Sequence, residues 1–100
     1  MTNEQISAIF SDIAARLRLK KDNIFKIRAY EKVARSILEL KEPVSKLVAE
    51  DRLKEVPGAG EAIIKKLTEL VNTGSLAFYE RLKSERAEGE KSSSLLRKEG

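Results

Sequence analysis

The chain has 100 residues, 41% of them hydrophobic and 36% charged, which is enough for one compact unit around a single core. It contains neither Cys nor His, which excludes disulfides, thiol nucleophiles, the Ser-His-Asp triad and nearly every zinc or transition-metal site. The formal net charge of +4 is concentrated: residues 16–35 carry eight Lys or Arg against Asp22 and Glu31, whereas residues 36–83 hold eight of each sign.

In chain order, Ile6, Ile9, Phe10, Ile13, Ala14 and Leu17 recur at helical spacing. Thr2 and Gln5 stand at capping-box spacing, so a first helix is expected over about 3–18. Asp22 or Asn23 can cap a second helix. Its apolar stripe is Ile27, Tyr30, Val33, Ala34, Ile37 and Leu38, it runs to about Leu40, and its other face is basic. Glu42-Pro43 breaks the chain, and Pro43 suits the first position of a short third helix with Val44, Leu47, Val48 and Leu53. After Pro57-Gly58-Ala59-Gly60 comes a fourth stripe of Ile63, Ile64, Leu67, Leu70 and Val71, with Gly74 as its C-terminal stop. Ser75 can cap a fifth, short helix through Leu76, Tyr79 and Leu82. No sustained alternation of period two is present, so the fold class is all α: a compact bundle of four to five short helices.

Residues 1–83 are expected to form this domain. From Ser84 to Gly100 the only apolar residues are Ala87, Leu95 and Leu96, and a disordered tail or linker is expected there. Apolar runs fall far short of the roughly 20 residues that span a bilayer, so no membrane partner is expected. Met1-Thr2-Asn3-Glu4-Gln5 carries no signal-peptide pattern, and the cysteine-free chain suits cytoplasm.

Two features bear on function. The basic stretch of Arg16, Arg18, Lys20, Lys21, Lys26, Arg28, Lys32 and Arg35 would attract a polyanion, or would only keep helical surfaces soluble. The second is Val56-Pro57-Gly58-Ala59-Gly60 between two helices. Glycine there allows positive φ and close approach of another backbone, and the next helix presents free N–H groups that suit a phosphate. A Pro-Gly-x-Gly turn by itself also serves ordinary packing of two helices. With Val56, Ala59, Ile63 and Leu67 apolar, Lys65 and Lys66 basic, and Thr73-Gly74 closing the helix, the segment resembles the helix-hairpin-helix DNA-binding motif.

Together with Phe25-Lys26-Ile27-Arg28-Ala29-Tyr30, residues 4–83 resemble the amino-terminal domain of family X DNA polymerases, the lyase or 8-kDa domain of DNA polymerase beta. The bacterial and archaeal branch is the closer likeness. The resemblance implies a repair role, a nucleoid-associated location in a prokaryote, and DNA with gaps, nicks or 5′-phosphorylated ends as partner. The rest of a polymerase chain is a further implied partner. Nothing after Lys83 matches a palm or phosphoesterase domain, so polymerisation has no place in these residues. Carried over by position, phosphate-facing amides come from Gly58, Gly60, Glu61 or Ala62 beside Ala59. A K⁺ or Na⁺ is held by the backbone carbonyls of Lys54, Val56 and Ala59. Lys26 and Tyr30 face a 5′ phosphate and its sugar, with Arg28 and Lys65 adding charge. The spacing of Tyr30 with Ile27, Ala34 and Ile37 equally suits a core ring, and a buried ring with its hydroxyl at the rim satisfies both.

Three functions follow. The first is a DNA-binding module without sequence preference, since no helix aligns Asn, Gln and Arg for base edges. The second is a 5′-deoxyribose-phosphate lyase, in which Lys66 occupies the family's Schiff-base position. There, beta-type members carry positive or polar groups where this chain has Ala62, Phe25 and Phe78. The third is a protein-interaction helical module, for which only a generic bundle speaks.

Overall fold

The computed structural model describes residues 1–85, and the stretch expected to be disordered lies, from residue 86 onward, outside the described residues. The described residues are helical with no strand. They comprise α1 (Asn3–Leu19), α2 (Ile24–Glu39), α3 (Val44–Ala49), a 3-10 turn (Leu53–Glu55), α4 (Glu61–Thr73) and α5, which begins at 77 and continues through 85. This is the all-α bundle that the periodicity dictates.

α1 starts where its cap requires. The Gln5 amide donates to Thr2 Oγ1 at 3.1 Å and the Thr2 amide donates back to Gln5 Oε1 at 2.8 Å. α2 is capped by Asn23, whose side-chain oxygen accepts from the amides of Phe25 and Lys26. The two helices are antiparallel: Asn3 reaches Glu42, the Ser7 hydroxyl donates to the Ala34 carbonyl at 2.7 Å, and Arg18 pairs with Glu31. Between and beneath them lies the core of Ile6, Phe10, Ile13, Leu17, Ile27, Tyr30, Val33 and Ile37, which Leu47, Val56, Leu67, Leu70, Leu76 and Leu82 of the later elements extend.

Four expectations are adjusted. Leu38 is exposed, because α2 turns it about 100° past Ile37 and out of the apolar stripe. Pro43 precedes α3 as its cap rather than opening it, and Leu53 belongs to the 3-10 turn, not to α3. The Pro43 ring carries no acceptor for the first amide, so Asn3 of α1 supplies one: its Oδ1 accepts from the Val44 amide at 2.9 Å. Ser75 does not cap α5. The first intrahelical bond there is Glu80 N–H to the Leu76 carbonyl, and the Ala77 amide instead donates to the Glu69 carboxylate of α4 at 2.8 Å.

Candidate nucleic-acid interface

The chain approaches the hairpin under tight constraint. Arg52 pairs with Glu42, Glu50 and Glu55 at 2.8, 2.5 and 2.9 Å, fixing the path from α3 into the 3-10 turn. Val56 then buries its side chain, and its carbonyl accepts the Ala59 amide at 3.0 Å, which turns the chain back on itself. The tip is fastened to α2 from two sides. Ser36, buried, donates its hydroxyl to the Pro57 carbonyl at 3.0 Å. Gly58 sits at φ +88°, where a Cβ would lie 3.0 Å from Cδ and 3.1 Å from Cγ of Lys32. Ser36 gives no sign in the sequence, because a single serine on a basic helix reads as surface.

Gly60 behaves differently from Gly58. Its φ of −81° and ψ of −178° are ordinary extended backbone, and a Cβ there would meet nothing within 4 Å. It is the cap residue of α4 and contributes no side-chain acceptor. Among the described residues no acceptor reaches the amides of Gly60, Glu61, Ala62 or Ile63, and the first helical bond is Ile64 N–H to the Gly60 carbonyl at 2.9 Å. A helix end is thus left with its donors unoccupied and its surface unobstructed.

These donors open onto a cleft of about 460 Å³ lined by Lys26, Ala29, Tyr30, Gly60, Ala62, Ile63 and Lys66. Of the residues singled out in the sequence, the helical registers of α2 and α4 bring Lys26, Tyr30, Gly60, Ala62 and Lys66 together around it. Arg28, Gly58, Ala59, Glu61 and Lys65 do not line it, and Glu61 is exposed at the first position of α4. Tyr30 is 3% exposed, with its ring 5.7 Å from Phe10 and stacked at 6.0 Å on Phe78. Burial, followed by the nearby Asp22 charge, pushes its phenol up to about 12, so it stays a neutral donor. The ring of Tyr30 is therefore core, and the residue also lines the cleft.

Phe78 also serves two lysines, with Lys66 Nζ at 4.7 Å and Lys26 Nζ at 5.6 Å from its ring centroid. Burial lowers the Lys66 ammonium pKa, and repulsion from Lys26 and Arg81 adds to this, against attraction from Glu69. Sequence periodicity supplied no reason to single out Phe78 as a platform, since its role depends on how α5 docks. A second, wider groove of about 630 Å³ between α1 and α2 is lined by Ser11, Ala15, Arg18, Leu19, Glu31 and Arg35. The Arg18–Glu31 ion pair involves two of its lining residues, and none of the hairpin residues reaches it.

For a monovalent cation, the carbonyls of Lys54 and Ala59 accept no hydrogen bond among the described residues, and Val56 keeps one lone pair free beside its turn bond. This donor set of neutral oxygens fits K⁺ or Na⁺. No group of three or more Asp or Glu among the described residues is placed to hold a metal, and no described helix is long and apolar enough to cross a membrane.

The arrangement of two helices about a glycine turn with exposed amides has its counterpart in sequence: a model of the helix-hairpin-helix domain matches residues 1–76. The chain belongs to the helix-hairpin-helix domain family. A comparison with curated proteins gives no match. As a helix-hairpin-helix domain it is a nucleic-acid-binding module of the backbone-contacting type. The matched stretch includes α1 and α2 as well as the hairpin, so the basic second helix is part of the family's domain and not an appendage to it.

Proposed function

We propose that this domain binds DNA without sequence preference and holds the backbone and a 5′ phosphate at gaps, nicks or ends, as the amino-terminal domain of family X DNA polymerases does in repair. The observation that carries this reading is the cleft in which the ammonium groups of Lys26 and Lys66 meet the unoccupied amide end of α4. A terminal phosphate has more negative charge and more free oxygens than one within a chain, and both groups of donors suit it. Tyr30 supplies a neutral hydroxyl and an apolar wall against the sugar. A K⁺ or Na⁺ on the carbonyls of Lys54, Val56 and Ala59 would offset phosphate charge at the turn.

Affinity for gapped DNA with and without the 5′ phosphate tests the reading. The phosphorylated gap should bind about tenfold more tightly, as one or two charge-assisted hydrogen bonds provide. Equal affinity for both, and for intact duplex, would remove the end-recognition reading.

A lyase activity has one specific observation in its favour, the lowered Lys66 amine in the phosphate cleft. A neutral amine can add to the aldehyde of an incised abasic sugar and lose water to form a Schiff base; loss of a C2′ proton then expels the strand on the 3′ side with its 5′ phosphate, and water hydrolyses the remaining imine to free the lysine. Against it, the face of Phe78 and the Glu69 carboxylate both favour the charged amine. The three positions noted in the sequence remain Ala62, Phe25 and Phe78. Borohydride trapping decides: an adduct lost in Lys66→Ala and kept in Lys65→Ala establishes the lyase, and no adduct above that of a generic basic protein leaves a binding module.

A further inference from the structure

The cations of residues 16–35 divide into two classes in the structure. Arg16 pairs with Asp12, Arg18 with Glu31, Lys20 with Glu85 and Lys26 with Asp22. Lys21, in the turn before α2, is exposed and has no ion pair among the described residues, and on α2 itself Arg28, Lys32 and Arg35 are exposed and form none either. At 100° per residue these three fall within about 60° of arc on α2 and span about 10 Å of its axis. Lys26 and Tyr30, which line the cleft, lie on the opposite side of the same helix.

The hairpin tip sits between these two faces. The Lys32 methylenes lie against the Cβ direction of Gly58, and Ser36, one turn further on, holds the Pro57 carbonyl. A backbone passing over Gly58 therefore leaves the cleft on one side and meets the stripe on the other. Duplex DNA carries one charge per about 1.7 Å of axis, so 10 Å of unpaired cations faces several phosphates at once.

Building on the proposed function, we infer that Arg28, Lys32 and Arg35 form a second phosphate track, which binds the internal phosphates of the duplex flanking the end held in the cleft. The division of labour is chemical. The cleft, with amides, two lysines and a tyrosine, recognises a terminal phosphate, and the stripe, with point charges and two guanidinium forks on an open surface, takes internal phosphates of any sequence.

The test is the double variant Arg28→Gln/Arg35→Gln, which removes two exposed charges and leaves Lys32, whose stem packs at the hairpin, in place. On a 20-base-pair duplex ending in a 5′-phosphorylated gap, the slope of log affinity against log salt should become shallower by about 1.8, from two phosphate contacts at about 0.9 each. The ratio of affinities with and without the 5′ phosphate should stay unchanged. On a short 5′-phosphorylated single strand the variant should match the wild type. An unchanged duplex slope overturns the track, as does a loss of the 5′-phosphate ratio with helicity retained, since that would place the two arginines in the cleft. Failure of the proposed function reads differently: a wild-type protein with a steep duplex slope and no 5′-phosphate ratio would remove the cleft reading and leave the stripe standing.

Discussion

At residue scale the two glycines of the hairpin separate folding from binding. Gly58 takes φ +88° with the Lys32 stem 3.0 Å from where a Cβ would stand, so Gly58→Ala brings both backbone strain and crowding. It should lower stability by about 1–2 kcal/mol, read as a fall in thermal midpoint. Gly60→Ala adds a methyl to open space on extended backbone and should leave that midpoint within a few degrees. Its methyl nevertheless stands in the open approach to the amide end of α4, which the proposed function assigns to the phosphate, so affinity for a phosphorylated gap should fall several-fold. If Gly60→Ala binds normally, the amide end of α4 is not a contact. Positive φ was expected of the turn as a whole, and only Gly58 uses it. Gly60 was legible as a glycine, yet its purpose as bare approach surface depends on neighbours absent from the sequence.

At element scale, starts were easier to read than stops. The cap of α1 was visible as Thr2 with Gln5 and that of α2 as Asp22 or Asn23, of which Asn23 serves, because a cap is a local contract between residues two or three apart. α1 and α3 end in a left-handed residue that is not glycine: Lys21 at φ 60° and Asp51 at φ 56°. In each, the following amides close the end, Asp22 N–H to the Leu17 carbonyl at 2.9 Å and Arg52 N–H to the Leu47 carbonyl at 2.8 Å. With no Gly at those sites the stops carried no sequence signal, whereas Gly74 at φ 80° did. The same geometry predicts that Asp51→Gly stabilises the protein by about 0.5–1 kcal/mol, by relieving the left-handed strain of a side chain that has no hydrogen-bond or ion-pair partner among the described residues. A thermal midpoint at or below that of the wild type would show that the Asp51 side chain does more than tolerate its conformation. Caps supplied across the fold, Asn3 to Val44 and Glu69 to Ala77, were illegible for a different reason, since their partners lie 41 and 8 residues apart and meet only through tertiary packing.

At the scale of the whole molecule, charge divides between holding the fold and standing free for a nucleic-acid backbone, and pH and salt act on the two parts separately. The Glu42 carboxyl is held low by hydrogen bonds from Arg52 and then Lys46, and Glu55 is held low by Arg52. Burial pushes Asp12 up, yet hydrogen bonds from Tyr79 and Arg16 outweigh it and leave it lowered too. A carboxylate lowered in the folded state contributes stability that is fully present above its unfolded value and is lost as pH falls through the folded one. Thermal midpoints should therefore hold between about pH 6 and 8 and decline below about pH 4. Arg52→Gln should flatten that decline by freeing Glu42 and Glu55; an equally steep acid limb in the variant would place the acid sensitivity elsewhere. Salt reads the other part. Four of the eight cations in residues 16–35 already hold carboxylates, so the +6 of that segment overstates what DNA meets. The groups left to face phosphate are Lys21 before α2, Arg28, Lys32 and Arg35 on one side of the hairpin, and Lys66 in the cleft, where Lys26 shares its charge with Asp22 at 3.8 Å, with Lys65 exposed on α4 beside it. If four to six phosphates are neutralised, log affinity for duplex should fall with log salt at a slope of about −4 to −5, and less steeply for a single strand. A flat response would mean that these cations only solvate helix faces, and strong preference for one base sequence would mean that contacts to base edges, not to the backbone, carry the binding.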